Sequence, residues 1–427
     1  MAQSSMPSSP PRLMTASWIL YDLANTVYAA TITFIFVPLV GAAAVGITNS
    51  AAMILAGVSV PVFACLADRT GRAGRYCAIA TLICIGAMSL LGVLPSVPAL
   101  LIAFFVATLG YQVALVFYNA LLPSVAAPRH VGLVSGWGVG VGYIGTVFTL
   151  IIALPVQKVF GPRPAFFLTA AAFLLCALPC MLFVHDRRPI VREPFSRELL
   201  GRQWRELLDT LRCLPQQRAL MWFLIGNFFA VDVLNTAILF FAKFIQVYFT
   251  PMVLAGRLTL CGYTIQSIHD YIMIGGLAVN IPALGFGLAL GYSADRLGAR
   301  RVYVISLLCL LSGLAGAIVF GGWAPLLFLI ALCCFGGLGL AGIWTAGRKL
   351  LIELVPPEHV ARYFGLYGVT QKVSVLGSAV CGVLMEFYGP RVAIASQIIT
   401  LAAAFYCIYR MGTPGRKNAG CQPALRP

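Results

Sequence analysis

Twelve runs of about 20 mostly apolar residues, parted by short polar breaks, leave this chain few folds to choose from. They fall at 15–41, 47–66, 76–95, 98–122, 131–154, 164–184, 219–245, 266–292, 302–321, 325–347, 363–385 and 391–410. Each is long enough to cross a bilayer as a helix, the local structure that bonds its own backbone groups without water. Composition agrees: 60% of residues are hydrophobic and 10% charged, where a soluble domain carries about a quarter charged. So few ionic groups cannot clothe a soluble surface, and disorder needs low hydrophobicity. The expectation is a polytopic, all-α integral membrane protein of twelve transmembrane helices. Residues 1–11 are polar and proline-rich and the first apolar run is too long for a signal peptide core, so no separate leader is read.

The 13 cysteines lie mostly inside apolar runs and only four histidines accompany them. They read as small buried apolar residues, because a disulfide framework or a zinc site would need other placements.

The formal charge of +16 is explained by where it lies. With the N-terminus inside, 23 of the 29 Lys and Arg residues fall on the cytoplasmic side, among them Arg69, Arg72, Arg348, Lys349 and Arg362. Four (Lys158, Arg163, Arg257 and Arg391) fall on the other side, and Lys243 and Lys372 lie within spans. That asymmetry places both termini in the cytoplasm by the positive-inside rule. The expected neighbours are a bilayer with anionic headgroups, not nucleic acid. The one long polar loop, 185–218, divides the chain into a cytoplasmic tail 1–14, six helices 15–184, a linker, six helices 219–410 and a second tail 411–427. In the linker Leu200, Trp204, Leu207, Leu208 and Leu211 recur at helical spacing, as in a surface-lying amphipathic helix.

An internal repeat carries the reading further. Asp22-x-x-Asn25-Thr26 in the first span is answered by Asp232-x-x-Asn235-Thr236, 210 residues on. Ala67-Asp68-Arg69-Thr70-Gly71-Arg72 is answered by Ala294-Asp295-Arg296-Leu297-Gly298-Ala299-Arg300, 227 residues on. Two matches in the same order imply a duplicated six-helix unit. Both copies start on the same side, so the halves are two pseudo-symmetric bundles about an axis along the membrane normal, with solute held between them near the midplane.

On these residues the chain resembles the major facilitator superfamily. Its loop signature is matched at Asp68, Arg69, Gly71 and Arg72, with Ala64 where the first glycine is usual; the second copy has Gly291, Asp295, Arg296 and Gly298. The resemblance implies a conformational gate at both loops, a carboxylate there pairing with arginine and with a neighbouring helix N-terminus. Ser17-Trp18-Ile19-Leu20-Tyr21-Asp22, Phe117-Tyr118-Asn119, Val134-Ser135-Gly136-Trp137-Gly138 and Arg362-Tyr363-Phe364-Gly365 are similar to the vacuole-effluxer-like branch, which implies amino-acid export. Asp232-Val233 departs from that branch's usual Asp-Gly. Asp232 to Ala237 also resembles the magnetosome permeases, which implies iron as cargo and a bacterial inner membrane, or one derived from it.

The buried polar groups are the candidate site. An aspartate at mid-span costs about 2.5–3.5 kcal/mol on insertion scales and needs a partner or a wet cavity. Spacing of three sets Asp22 with Asn25, and Asp232 with Asn235, on one helical face. These faces are expected to look into the cavity between the bundles, to move a proton or bind substrate. Lys243 and Lys372 are the available counter-charges, the former also able to snorkel to an interface. His269-Asp270 reads as an interfacial polar pair, or as a guard or metal-binding pair at the outer mouth. The glycines 136, 138, 140 and 142 predict close packing of the fifth span.

No phosphate-binding loop and no Gly-x-Ser-x-Gly elbow is present. The expectation is a secondary transporter without cofactor and not an enzyme, carrying iron or another metal species, or an amino acid or similar small solute. A transporter-like scaffold that recruits partners through the 185–218 loop is the reading from another class.

Overall fold

The computed structural model describes residues 10–40, 42–186, 205, 209–373 and 375–412, apart from the side chains of a few helical positions that include 68, 69 and 269. Most of the amphipathic segment expected in the linker lies outside them.

Among the described residues, twelve long helical rods follow one another. In the first half they are α1 (Arg12–Phe36, continued by Val37–Val40), α2 (Ala42–Thr70), α3 (Ala73–Leu90), α4 (Val97–Ala120), α5 (Val131–Phe148, continued to Phe160) and α6 (Pro162–Phe183). In the second they are α7 (Arg218–Leu254), α8 (Ile268–Leu297), α9 (Ala299–Phe320), α10 (Pro325–Leu354), α11 (Val360–Val373 and Val375–Tyr388) and α12 (Pro390–Arg410). Among the described residues, ten are long and apolar enough to cross a membrane; α2 and the two-segment α11 complete the set.

The ends are written in the sequence. Proline opens α6, α10 and α12 at the first turn, where its missing N–H leaves no bond unmade. Gly71 after α2 and Gly298 after α8 have φ of 61° and 91°, a left-handed turn that only glycine makes without strain. The motif's glycine is therefore a helix stop, which frees the next helix to reverse direction.

Two boundaries differ most from the sequence reading. The seventh span continues to Leu254, and a two-residue hairpin (Thr259–Leu260 with Tyr263–Thr264) fills the vague stretch before α8. The tenth extends seven residues past the expected 347, so Arg348 and Lys349 lie inside a helix, 6% exposed each, instead of in a loop. Arg362, also counted as a loop charge, is 2% exposed.

Large apolar side chains such as Ile54, Leu175, Leu239 and Ile399 point outward, as they do where the surroundings are hydrocarbon. Inside the first half, Trp18 stacks on Tyr118 at 4.4 Å and Tyr21 on the same ring at 4.8 Å. Phe223 and Tyr367 stack at 6.2 Å in the second half. The halves meet where α5 packs on α8, and α2 and α4 pack on α11.

Candidate substrate and gating site

α5 is a glycine ribbon with two working faces. Gly132, Gly136 and Gly140, four apart, face α8: a Cβ at Gly132 would lie 2.7 Å from the Gly291 carbonyl, and one at Gly140 2.7 Å from that of Leu284. Gly138, Gly142 and Gly145 face α1, where a Cβ at Gly138 would lie 3.0 Å from Asp22 Oδ2. Bare backbone on both sides lets α5 approach a helix of each half at once. The close packing expected of this span is present, and it includes the seam between halves.

The Asp22 carboxylate lies on that seam. It accepts from Arg348 of the opposite half, Nη1 to Oδ2 at 2.9 Å and Nη2 to Oδ1 at 3.4 Å, and from Asn25 Nδ2 at 3.3 Å. The guanidinium sits 5.7 Å from the ring centres of both Trp18 and Tyr118. A planar, permanently charged fork suits this geometry, since it bonds the carboxylate with two edges and offers its face to the rings. Nearby, Asn25 Oδ1, Tyr143 OH and Thr345 Oγ1 are buried with no protein partner among the described residues, so they can bond a solute.

At the end of the bundle where α8 meets α9, Asp295 forms a second link between halves. Its oxygens accept from the backbone N–H of Gly132 at 2.8 Å and Leu133 at 2.7 Å, the second and third residues of α5. Lys349 Nζ donates to Oδ1 at 2.6 Å and to the Ala294 carbonyl at 2.8 Å. A carboxylate on orphan N–H groups at the positive end of a helix dipole is well placed, and the lysine balances its charge. The basic partner here is a lysine, and Arg296 instead lies exposed over the Tyr292 ring at 4.4 Å. Gly71 supplies the turn at the matching loop of the first half and Arg72 is exposed there; the Asp68 and Arg69 side chains lie outside the described set.

Asp232 and Asn235 both bond to α11 of their own half. Asp232 is 4% exposed and accepts from the N–H of Gly377, third residue of the second α11 segment, at 3.2 Å. Asn235 Nδ2 donates to the Gln371 carbonyl at 3.5 Å, also on α11. The repeated motif therefore has two uses: one copy meets a cation across the seam, and the other fastens α7 to α11 within its half. Lys243 is exposed on α7. Lys372 is buried at 5% exposure, its Nζ on the Gly368 carbonyl at 3.3 Å. Asp270 is exposed, and the His269 side chain lies outside the described set.

Sequence reasoning missed Arg348 and Lys349. Their signal was present: two cations four and five residues before Glu353, continuous with an apolar helix.

A protein-family model described as Major Facilitator Superfamily matches residues 14–281 and 263–421. The chain belongs to the Major Facilitator Superfamily. Among relatives in this superfamily and beyond, it is 24% identical to the MFS-type transporter YxiO of Bacillus subtilis, over 90% of this chain and 91% of that one. It is 27% identical to autophagy-related protein 22-1 of Emericella nidulans, over 60% of this chain and 45% of that longer protein. A bacterial homologue of the iron transporter ferroportin in an outward-facing state superposes with a TM-score of 0.68 at 14% identity, covering 94% of this chain and 98% of that one. The proton:xylose symporter XylE gives 0.63 at 14% identity, covering 94% of each. At such identities the likeness is one of fold. The chain is a multi-pass membrane transporter of the secondary type, with a bilayer and a small-molecule substrate as its partners, and not an enzyme.

Proposed function

We propose that this facilitator carries a small charged organic solute by alternating access, with the Asp22–Arg348 pair as the central tie that each cycle must break. The observation behind this reading is that a bidentate buried ion pair joins helices of opposite halves beside polar atoms with no partner among the described residues. Such a pair returns little net stability, because desolvation offsets attraction, yet breaking it by removing one partner is costly. A solute that bonds Asp22 or Arg348 substitutes for the lost partner and lowers the cost of parting the halves.

Asp295 serves in this reading as the latch at the basic end. With the Lys and Arg asymmetry, that end is assigned to the cytoplasm together with both termini, against anionic headgroups of a bacterial inner membrane or one derived from it. Closure there leaves the solute path to the opposite side.

An iron cargo, the expectation from the magnetosome permeases, would use Asp22 with Asn25 and tyrosine oxygens once Arg348 withdraws. Among the described residues no group of three or more His, Cys, Asp or Glu side chains is placed to hold a metal. An organic solute fits the present lining of guanidinium, amide and aromatic faces better.

Flux into vesicles reconstituted with the purified chain tests the proposal, offering ferrous iron, lactate and alanine as separate solutes. Asp22→Asn should cut flux of the carried solute by about tenfold or more, the loss of one charge-assisted pair, with insertion unchanged. Full flux by that variant contradicts the role of the tie.

A further inference from the structure

Among the described side chains, three ionisable ones occupy the middle of the seam between halves, and their charges do not balance. Asp22 is taken by Arg348. Lys372 lies twelve residues into α11, about 18 Å from its first residue at 1.5 Å per residue, which is mid-membrane depth. It is 95% buried. Its only bond among the described residues is to the Gly368 carbonyl at 3.3 Å, one turn back on its own helix. That carbonyl is also the regular acceptor of the Lys372 backbone N–H, so the ammonium shares an acceptor already in use. Three donors with one shared acceptor leave the cation under-bonded in a place where charge is expensive.

The carboxylates that could answer it are engaged elsewhere: Asp295 with Lys349 and the start of α5, and Asp232 with the Gly377 N–H. The ammonium lies at the seam itself. Gly368 has no side chain and lies against α4 of the opposite half, where a Cβ would be 3.2 Å from Val116 and 3.3 Å from Lys372 Nζ. Tyr111, farther along α4 from the basic end, stacks on Tyr28 at 4.5 Å.

We propose that Lys372 is a substrate-binding residue that takes the carboxylate of a small organic monoanion at the seam between the halves. This rests on the carrier reading above and names its substrate class. One net positive charge in the seam complements one negative charge on the solute. The carboxylate accepts from the ammonium donors that the protein leaves spare, and the aromatic faces cover its apolar part. Emptied of solute, the cation has only the shared carbonyl among the described residues, which favours states where an anion is bound.

The test uses the full chain, purified in chloride-free isethionate buffer, with melting followed by intrinsic tryptophan fluorescence. Lactate or benzoate should raise the melting midpoint saturably, while lactamide and benzamide, of the same shape without charge, should not. Lys372→Gln should weaken the apparent affinity by about tenfold, the loss of one charge-assisted bond. Lys372→Arg, which keeps the charge, should stay within about threefold of the parent. Absence of any carboxylate effect, an equal effect in Lys372→Gln, or the same Lys372-dependent shift from chloride alone would overturn the assignment. The carrier reading is tested separately by the distance between labels at 129 and 296, described in the Discussion; opening there without a carboxylate effect removes only the substrate class.

Discussion

A carboxylate inside a membrane helix is expensive enough to be noticed in a sequence, and Asp22 was legible for that reason. Its partner was hidden. Arg348 precedes Lys349 at the end of an apolar run, and counted by side they look like topology charges; only the length of α10 puts them indoors. The energies separate the two roles. Asp22→Ala should cost about 3–5 kcal/mol of stability, because it strands a buried guanidinium, and should lower the melting midpoint markedly. The double variant Asp22→Asn with Arg348→Gln should recover most of that loss, as an amide pair can bond without charge. A double variant as unstable as Asp22→Ala would mean the site depends on charge for its folding. At Asp232 the outcome should differ. Asn there still presents an oxygen to the Gly377 N–H, so Asp232→Asn should preserve the melting midpoint, whereas Asp232→Leu must force α7 away from α11.

At the scale of elements, the rods were legible from hydropathy and their packing was not. The glycines of α5 announced close approach, but their assignment to two faces needs the helix's rotation, which composition does not carry. Gly136→Ala should strain the α5–α8 contact by about 1–3 kcal/mol, the usual cost of overpacking. Reagent access to the basic end should rise, while Gly86→Ala, at a glycine with open space, should leave it unchanged. Equal access in the two variants would show that the glycine seam does not hold this end shut. The repeat is also richer than the two motifs suggest. Gly161-Pro162-Arg163 and Gly389-Pro390-Arg391 both start a closing helix after a left-handed glycine. Pro128–His130 and Pro357–His359 are both single 3₁₀ turns ahead of a spanning helix. Such short repeats vanish against an apolar background, where turns carry few distinctive residues.

The whole molecule is two halves whose polar links across the seam, among the described residues, gather at or below mid-membrane: Asp22 with Arg348, Asp295 with the start of α5, and Ser135 with the Thr345 carbonyl at 3.2 Å. The helices continue far beyond these links, and α1, α5 and α10 each turn π-helical at one level, in Ile32–Phe36, Thr149–Ala153 and Ala331–Gly336. Each such turn lies about 27–30 Å along its rod from the basic end, where wider hydrogen-bonded loops let a helix bend. Rocking about the glycine seam, with the polar ties exchanged for solute, follows from this distribution. Pulsed dipolar spectroscopy between labels on unnatural amino acids at Arg129 and Arg296, both exposed at the basic end on opposite halves, measures that rocking in vesicles. Two populations are expected, a short distance and a longer one, with Asp295→Asn shifting weight to the longer. A single unchanging distance in parent and variant alike would contradict alternating access for this chain.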